Sequence, residues 1–272
     1  MTRVELHHGA STDVGKVREV NEDSYLVAPP VFAVADGMGG HDRGDVASRI
    51  VVEEFAGLAE RGYDPTRGAE EVAQVLRHAQ ERVAAYDDEQ RAAGARDFAA
   101  GTTAVAALLV EQSGEPRWLL ANLGDSRAYV YAGGALDQVS VDHSLVQELV
   151  DSGAITPDDA LVHPERHVIT RALGGRGSAE ADFFVLPLSA AERLLLCSDG
   201  VSGMVDDATI ARVLAETTDP RDAADRLVAA ALEAGGHDNA TAVVVDVVGL
   251  IDDAHDSDGD RRSLEQKLGA LP

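Results

Sequence analysis

Apolar and polar residues alternate along this chain with two different periods, and the switches between them divide it into elements. Val4 and Leu6 alternate with polar neighbours, and residues 11–16 read as a turn. Short apolar runs at Ser24–Ala28 and Val31–Ala35, separated by Pro29-Pro30, predict two strands of a hairpin. From Asp42 the period becomes helical, with Val46, Ile50, Val51 and Phe55 on one stripe. A second helix is predicted over 69–89, where Val72, Val75, Leu76, Ala79 and Val83 share a face. Strands resume at 102–110, 117–123 and Arg127–Ala132, and Gly133-Gly134 turns the chain into 136–139. A short helix is expected over 144–151. Residues 152–167, with two prolines and two histidines, read as an irregular flap. The pattern returns to strand at 183–188 and 193–198, to helix at 208–216 and 221–234, and to strand at 240–248. Blocks of strands separated by helix pairs predict an α+β sandwich rather than a doubly wound parallel sheet.

Several of these strands end on an acid. The run Val31–Ala35 delivers Asp36 to Gly37-Met38-Gly39-Gly40, and glycine at that density lets backbone come close to an ion or a phosphate. The arrangement recurs at Leu194-Leu-Leu-Cys-Ser-Asp199-Gly200 and at Trp118-Leu-Leu-Ala-Asn-Leu-Gly-Asp125. It appears in reverse where His237-Asp238-Asn239 precedes the apolar run 242–248. With Asn21-Glu22-Asp23 ahead of Tyr25, the chain offers five places where a carboxylate could reach one rim of a sheet.

Composition narrows what such a rim could do. With 272 residues, 45% of them hydrophobic, the chain can bury a substantial core, and 48 acidic against 23 basic residues give a formal charge of −25. That charge argues against nucleic acid or anionic membrane as partners. After Gly249 the sequence turns Asp-rich, so residues 1–248 are expected to form the catalytic domain and 249–272 a disordered acidic tail. Asp256, Asp258 and Asp260 open like a calcium loop, but Arg261 and Lys267 stand where that loop requires Gly and Glu. The single cysteine, Cys197, lies in an apolar run that suits core packing better than a reactive thiol. No apolar run approaches the ~20 residues of a membrane span, and the first residues carry no apolar signal core, so a cytoplasmic protein is expected.

A site assembled from Asp36, the Gly37 carbonyl, Asp199, Asp238 and Asp23 or Glu22 would be all oxygen, which selects Mg²⁺ or Mn²⁺ over Zn²⁺. So many carboxylates exceed the needs of one ion, and two ions sharing one aspartate resolve their repulsion. Such a pair suits in-line displacement at phosphorus. Arg18, on the approach to Asn21-Glu22-Asp23, has the planar fork that matches phosphate oxygens. Its alternative is a surface arginine paired to Glu19 or Glu22.

The ordered series Arg18-x-x-Asn-Glu22-Asp23, Asp36-Gly-Met-Gly-Gly-His41, Gly101-Thr-Thr, Gly124-Asp125-Ser-Arg127, Asp142-His-Ser, Ile169-Thr-Arg-Ala-Leu-Gly174, Ser198-Asp199-Gly200 and Asp238-Asn239 resembles the metal-dependent, type-2C Ser/Thr protein phosphatases in their bacterial form. The resemblance spans residues 15 to 248. It implies a β-sandwich of two mainly antiparallel sheets flanked by paired helices, two Mn²⁺ or Mg²⁺ ions, and hydrolysis of phosphoserine and phosphothreonine by metal-activated water. It further implies that Asp36 bridges the ions, Gly37 supplies a carbonyl, Asp199 and Asp238 hold one ion, and Glu22 and Asp23 serve the other. Asp125 would match a third, weaker site, with Asp158 or Asp159 as flap-side helpers, and Arg18 would grip the phosphate.

The chain departs from eukaryotic relatives at Met38, where those carry a histidine proposed as general acid. His41 could donate that proton or contact substrate, or metal-bound water could act instead. His143 and His237 read as hydrogen-bonding supports, and His163 and His167 as flap residues near substrate. The expected partners are phosphorylated Ser/Thr proteins and a Ser/Thr kinase whose action the enzyme, a monomer, reverses. A phosphatase of small phosphoesters and a non-catalytic phosphoprotein-binding module remain as alternatives. Asp36, Asp199 and Asp238, all present, weigh against the latter.

Overall fold

The computed structural model of the protein describes residues 2–39, 43–95, 98–174 and 180–252. Its elements begin with β1 (Thr2–Asp13), β2 (Ser24–Ala28), β3 (Val31–Ala35), β4 (Gly37–Met38), α1 (Gly44–Arg61) and α2 (Gly68–Ala92). There follow β5 (Gly101–Thr102), β6 (Ala104–Gln112), β7 (Glu115–Leu123), β8 (Arg127–Ala132), β9 (Ala135–Gln138), α3 (Leu145–Asp151) and α4 (Pro157–Leu161). The chain closes with β10 (Leu173–Gly174), β11 (Asp182–Pro187), β12 (Arg193–Cys197), α5 (Asp199–Ser202), α6 (Asp207–Glu216), α7 (Pro220–Glu233) and β13 (Ala240–Asp252).

Two five-stranded sheets, ordered β1-β13-β12-β8-β9 and β11-β7-β6-β3-β2, form the sandwich, and β10-β5-β4 make a small third sheet. All pairings are antiparallel. Successive strand residues point to opposite faces, and β3 is an unbroken apolar run because both of its faces are covered. Phe32 and Val34 enter the core between the sheets with Trp118, Leu194 and Val243, whereas Val31, Ala33 and Ala35 join Phe55, Leu58, Val72 and Leu76 beneath α1 and α2. Phe32 and Trp118 meet edge to face with ring centroids 6.2 Å apart, an arrangement worth about 1 kcal/mol beyond the area it buries. A third core packs Leu195, Cys197 and Val244 against Ile210, Val213 and Leu227 of α6 and α7. The layers are therefore α-β-β-α.

Several boundaries differ from the pattern. β1 continues through Ser11, Thr12 and Asp13, paired to β13 as far as Asp13↔Ala240, so the turn expected over 11–16 begins after Asp13. The strand expected over 102–110 is split at Thr103, whose N–H donates instead to the Asp36 carbonyl. The flap contains α4, started by a capping box in which the Asp159 carboxylate accepts from the Thr156 N–H and hydroxyl. Asp159 thus holds the start of α4. β13 runs on to Asp252, opposite Thr2, because a bulge between Glu5 and Leu6 lets the ladder pass Gly249. β13 therefore runs past residue 248, and residues 253–272 of the expected tail lie outside the described residues.

Candidate metal centre

Strand register brings the acids together. Ser24 pairs with Ala35, Ala104 with Leu123, Cys197 with both Arg127 and Ala242, and Asp13 with Ala240. The residues just beyond these pairs, Asp23, Asp36, Asp125, Asp199 and Asp238, therefore gather at one end of the sandwich. The loop 14–22 between β1 and β2 lies at the same end.

Each acid is held by its own neighbours. The Asp36 backbone is fixed from both sides: its N–H donates to Thr103 Oγ1 at 2.9 Å, and its carbonyl accepts from Thr102 Oγ1 and the Thr103 N–H, each at 2.9 Å. Asp23 Oδ2 accepts from the hydroxyls of Ser198 and Thr241, both at 2.7 Å, while its Oδ1 is buried with no hydrogen-bond partner. Asp36 and Asp199 lie close enough for each carboxylate to shift the other's proton affinity. Asp125 is buried behind Gly124. Gly124 is gripped in turn by His143, whose N–H donates to the Gly124 carbonyl at 2.9 Å and whose Nδ1 accepts the Gly124 N–H at 3.1 Å. His143 Nε2 lies 3.2 Å from Asp182, itself paired with Arg171. His143 is thus the hydrogen-bonding support that its position suggests.

Two residues are engaged differently from expectation. Arg18 pairs with neither Glu19 nor Glu22; its guanidinium meets Asp238 Oδ2 at 2.8 Å. Glu22 is tied down through its backbone, its carbonyl accepting from the Ser48 hydroxyl at 2.6 Å and from the Gly37 N–H at 3.2 Å, while the backbone N–H groups of Gly44 and Asp45 at the start of α1 favour its charged form. Gly37 and Gly44 let α1 start hard against the Asp36 turn, since a Cβ on Gly44 would sit 2.5 Å from the Gly37 carbonyl carbon and 2.6 Å from the Met38 nitrogen. His41 lies outside the described residues.

The electrostatics are those of a site lacking positive charge. Asp23, Asp36 and Asp199 keep a narrow window of exposed surface but are surrounded by protein, so desolvation dominates their behaviour. Burial, followed by the charges of Asp199 and Asp238, pushes the Asp23 carboxyl up to about 7. Burial and then the charges of Asp199 and Asp142 push Asp125 up to about 7. Asp36 is raised well above the carboxylate range by burial and by Asp23, and Asp199 by burial and Asp238. Glu22 is raised mainly by burial. The charge of His167, on the return from the flap, reaches Asp199 and opposes that rise.

Among the described residues, no three His, Cys, Asp or Glu side chains already converge as a closed cage. The donors form an open, mutually repelling set with one orphaned oxygen, and such all-oxygen sets fit hard divalent ions that complete their shells with carbonyls and water. Thr102, Ser198 and Asn239 stand inside the quoted motifs and Thr241 outside them, but what each of them supports is not written in the motif spacing. Their partners lie far away in the chain, so only the folded register reveals them. Cys197 is buried, and burial pushes its thiol up to about 12.

The pattern that defines the family described as Protein phosphatase 2C matches residues 16–234. The serine/threonine phosphatase Stp of Listeria innocua is 34% identical over 253 residues, covering 89% of this chain and 96% of the relative. The solved structure of the serine/threonine phosphatase Stp1 from Staphylococcus aureus superposes with a TM-score of 0.81 at 32% identity, over 90% of this chain and 96% of that one. The catalytic domain of the serine/threonine protein phosphatase PstP, solved in complex with two manganese ions, superposes with a TM-score of 0.77 at 36% identity, over 92% of this chain and 100% of that one.

Proposed function

The chain belongs to the protein phosphatase 2C family and is a metal-dependent serine/threonine protein phosphatase; we propose that Asp36 is its central ligand, shared between two Mn²⁺ or Mg²⁺ ions. On this reading Gly37 would supply a carbonyl, Asp199 and Asp238 would hold one ion, Glu22 and Asp23 would serve the other mainly through water, and Asp125 would belong to a third, weaker site. The observation that supports the assignment is the raised, mutually repelling set Asp23, Asp36, Asp125 and Asp199, with Asp23 Oδ1 left unpartnered. Ions bound there would supply a nucleophilic water at neutral pH and positive charge for the oxyanions of an in-line displacement.

The rest of the chemistry falls to the chain itself. Thr102 and Thr103 lock the Asp36 backbone so that its carboxylate cannot withdraw from its neighbours. Arg18 stands half exposed, and its fork can donate to two phosphate oxygens in place of Asp238. Met38 carries no proton, so donation to the departing serine or threonine oxygen is assigned to His41 or to water. The substrates are phosphoproteins made by a Ser/Thr kinase, and the enzyme acts in the cytoplasm as a monomer. In support, no helix among the described residues is long and apolar enough to cross a membrane, and a formal charge of −25 keeps copies apart.

The test is phosphate release from a phosphothreonine peptide and from p-nitrophenyl phosphate, with Mn²⁺, Mg²⁺ or EDTA, for wild type and Asp199→Asn. Turnover that needs metal, prefers the peptide and disappears in the variant is expected. Turnover in EDTA, or an unaffected variant, would overturn the ligand assignment, and preference for the small ester would overturn the phosphoprotein assignment.

A further inference from the structure

The loop that carries Arg18 has little of its own to hold it. Between Asp13 and Ser24 the backbone forms no helix or strand, and the apolar side chains that flank Arg18 face solvent, with Val17 63% and Val20 59% exposed. Placing a guanidinium at a fixed point nevertheless requires a fixed loop, because a displacement of about 1 Å at a substrate-positioning group can cost roughly 100-fold in rate.

Within the loop, Asn21 reaches Thr12 Oγ1 at 2.9 Å and the Gly15 N–H reaches Asp13 Oδ1 at 2.8 Å, and from outside it one side chain spans the neck. Asn239, 5% exposed, donates its two amide N–H bonds to the carbonyls of Val14 at 2.9 Å and Val20 at 3.0 Å. Its Oδ1 accepts the Glu22 N–H at 2.8 Å. The Asn239 backbone N–H also donates to Asp238 Oδ1 at 2.9 Å, orienting the carboxylate whose other oxygen meets Arg18. Lys16 N–H to the Gly236 carbonyl at 2.7 Å adds a second tether from the same segment. Only an amide offers two donors and one acceptor in this geometry. An aspartate there would set an oxygen against two carbonyl oxygens.

We propose that Asn239 is a positioning residue for substrate phosphate, acting through Arg18 by closing the neck of loop 14–22. The inference rests on the reading of Arg18 as the phosphate-binding residue. Asn239 does not touch substrate; it fixes where Arg18 stands.

The experiment is a double-mutant cycle of Asn239→Asp with Arg18→Ala on the Mn²⁺-loaded enzyme. It reads KM and kcat for a phosphothreonine peptide, the inhibition constant of inorganic phosphate, and Mn²⁺ affinity by titration calorimetry. Each single substitution is expected to weaken phosphate inhibition and raise KM by about 10- to 100-fold, the range of a lost charge-assisted hydrogen bond. Mn²⁺ affinity should change by less than about threefold. In the Arg18→Ala background, Asn239→Asp should add less than about twofold, since residues acting through one contact are not additive. Losses that multiply in the double variant, or a fall in Mn²⁺ affinity with phosphate inhibition unchanged, would overturn the proposal. If Arg18→Ala alone left KM and phosphate inhibition intact, the Arg18 assignment would fall first and visibly. Should Asn239→Asp not fold, Asn239→Ser, which keeps one donor, runs the same cycle.

Discussion

Two alanine substitutions on one helix should move stability in opposite directions. At Gly57, inside α1, an added Cβ would meet nothing nearer than a flexible Arg61 nitrogen at 4.0 Å. Removing the excess backbone freedom of glycine there should stabilise by about 0.5–1 kcal/mol. At Gly44, in the first turn of the same helix, the Cβ would lie 2.5 Å from the Gly37 carbonyl carbon, 2.6 Å from the Met38 nitrogen and 2.9 Å from the Gly37 carbonyl oxygen. All three are backbone atoms of the turn that follows Asp36, so none can rotate aside. Reaching an ordinary contact near 3.4 Å requires α1 and the Asp36 turn to separate by close to 1 Å, an overpacking that costs about 1–3 kcal/mol. For a domain of this size each kcal/mol is about 2–4 °C in Tm. Gly57→Ala should therefore melt roughly 1–4 °C higher than wild type and Gly44→Ala roughly 2–12 °C lower. Because the same separation pulls on the Glu22 carbonyl, which is held by the Ser48 hydroxyl of α1 and by the Gly37 N–H of the turn, Gly44→Ala should also need more Mn²⁺ for half-maximal turnover. Differential scanning calorimetry and a Mn²⁺ titration of activity check both. A Gly44→Ala protein with unchanged Tm and unchanged Mn²⁺ requirement would refute the tight junction between α1 and the Asp36 turn.

Without metal, the native state binds protons more tightly than the unfolded chain at Asp23 and Asp125, both raised from 3.8 to about 7. Stability in EDTA should therefore fall as pH rises from about 5 to 8, and saturating Mn²⁺ should remove most of that slope, as melting curves at pH 6 and pH 8 would show. Thr241→Val deletes the hydroxyl that bonds Asp23 Oδ2 and Thr12 at nearly constant shape; a loss of about 1–3 kcal/mol is expected in urea unfolding, and no loss would mean that Asp23 is held elsewhere. Truncation after Asp252 should leave turnover of p-nitrophenyl phosphate unchanged, because β13 is complete at its pairing with Thr2; a large fall would place residues 253–272 within the catalytic unit.

The layer order and the acidic rim were legible because they are written in local patterns. β3 and β12 are apolar runs that stop on Asp36 and Ser198-Asp199, and α1 and α2 carry clear stripes. Two-residue strands such as β4, β5 and β10 have no period to detect. Gly249 looks like a boundary until β1 supplies the partner that carries the ladder past it. The supports of the rim were the least legible. Thr241 reaches Asp23 across 218 residues and Asn239 reaches Val14 across 225, distances at which no local signal survives. Glu22 reads as a ligand by motif, and only the fold reveals that its carbonyl ties Ser48 of α1 to the Asp36 turn.

The burial of Cys197 has a consequence for where such an enzyme can keep working. With a thiol near 12, roughly one molecule in ten thousand or fewer carries the thiolate at neutral pH, and the thiolate is the form that peroxide and alkylating agents attack. Hydrolysis here asks nothing of sulfur. Oxidants that silence cysteine-dependent phosphatases would find no reactive thiol at this centre, so dephosphorylation by this chain should outlast that of thiol-based enzymes under oxidative stress.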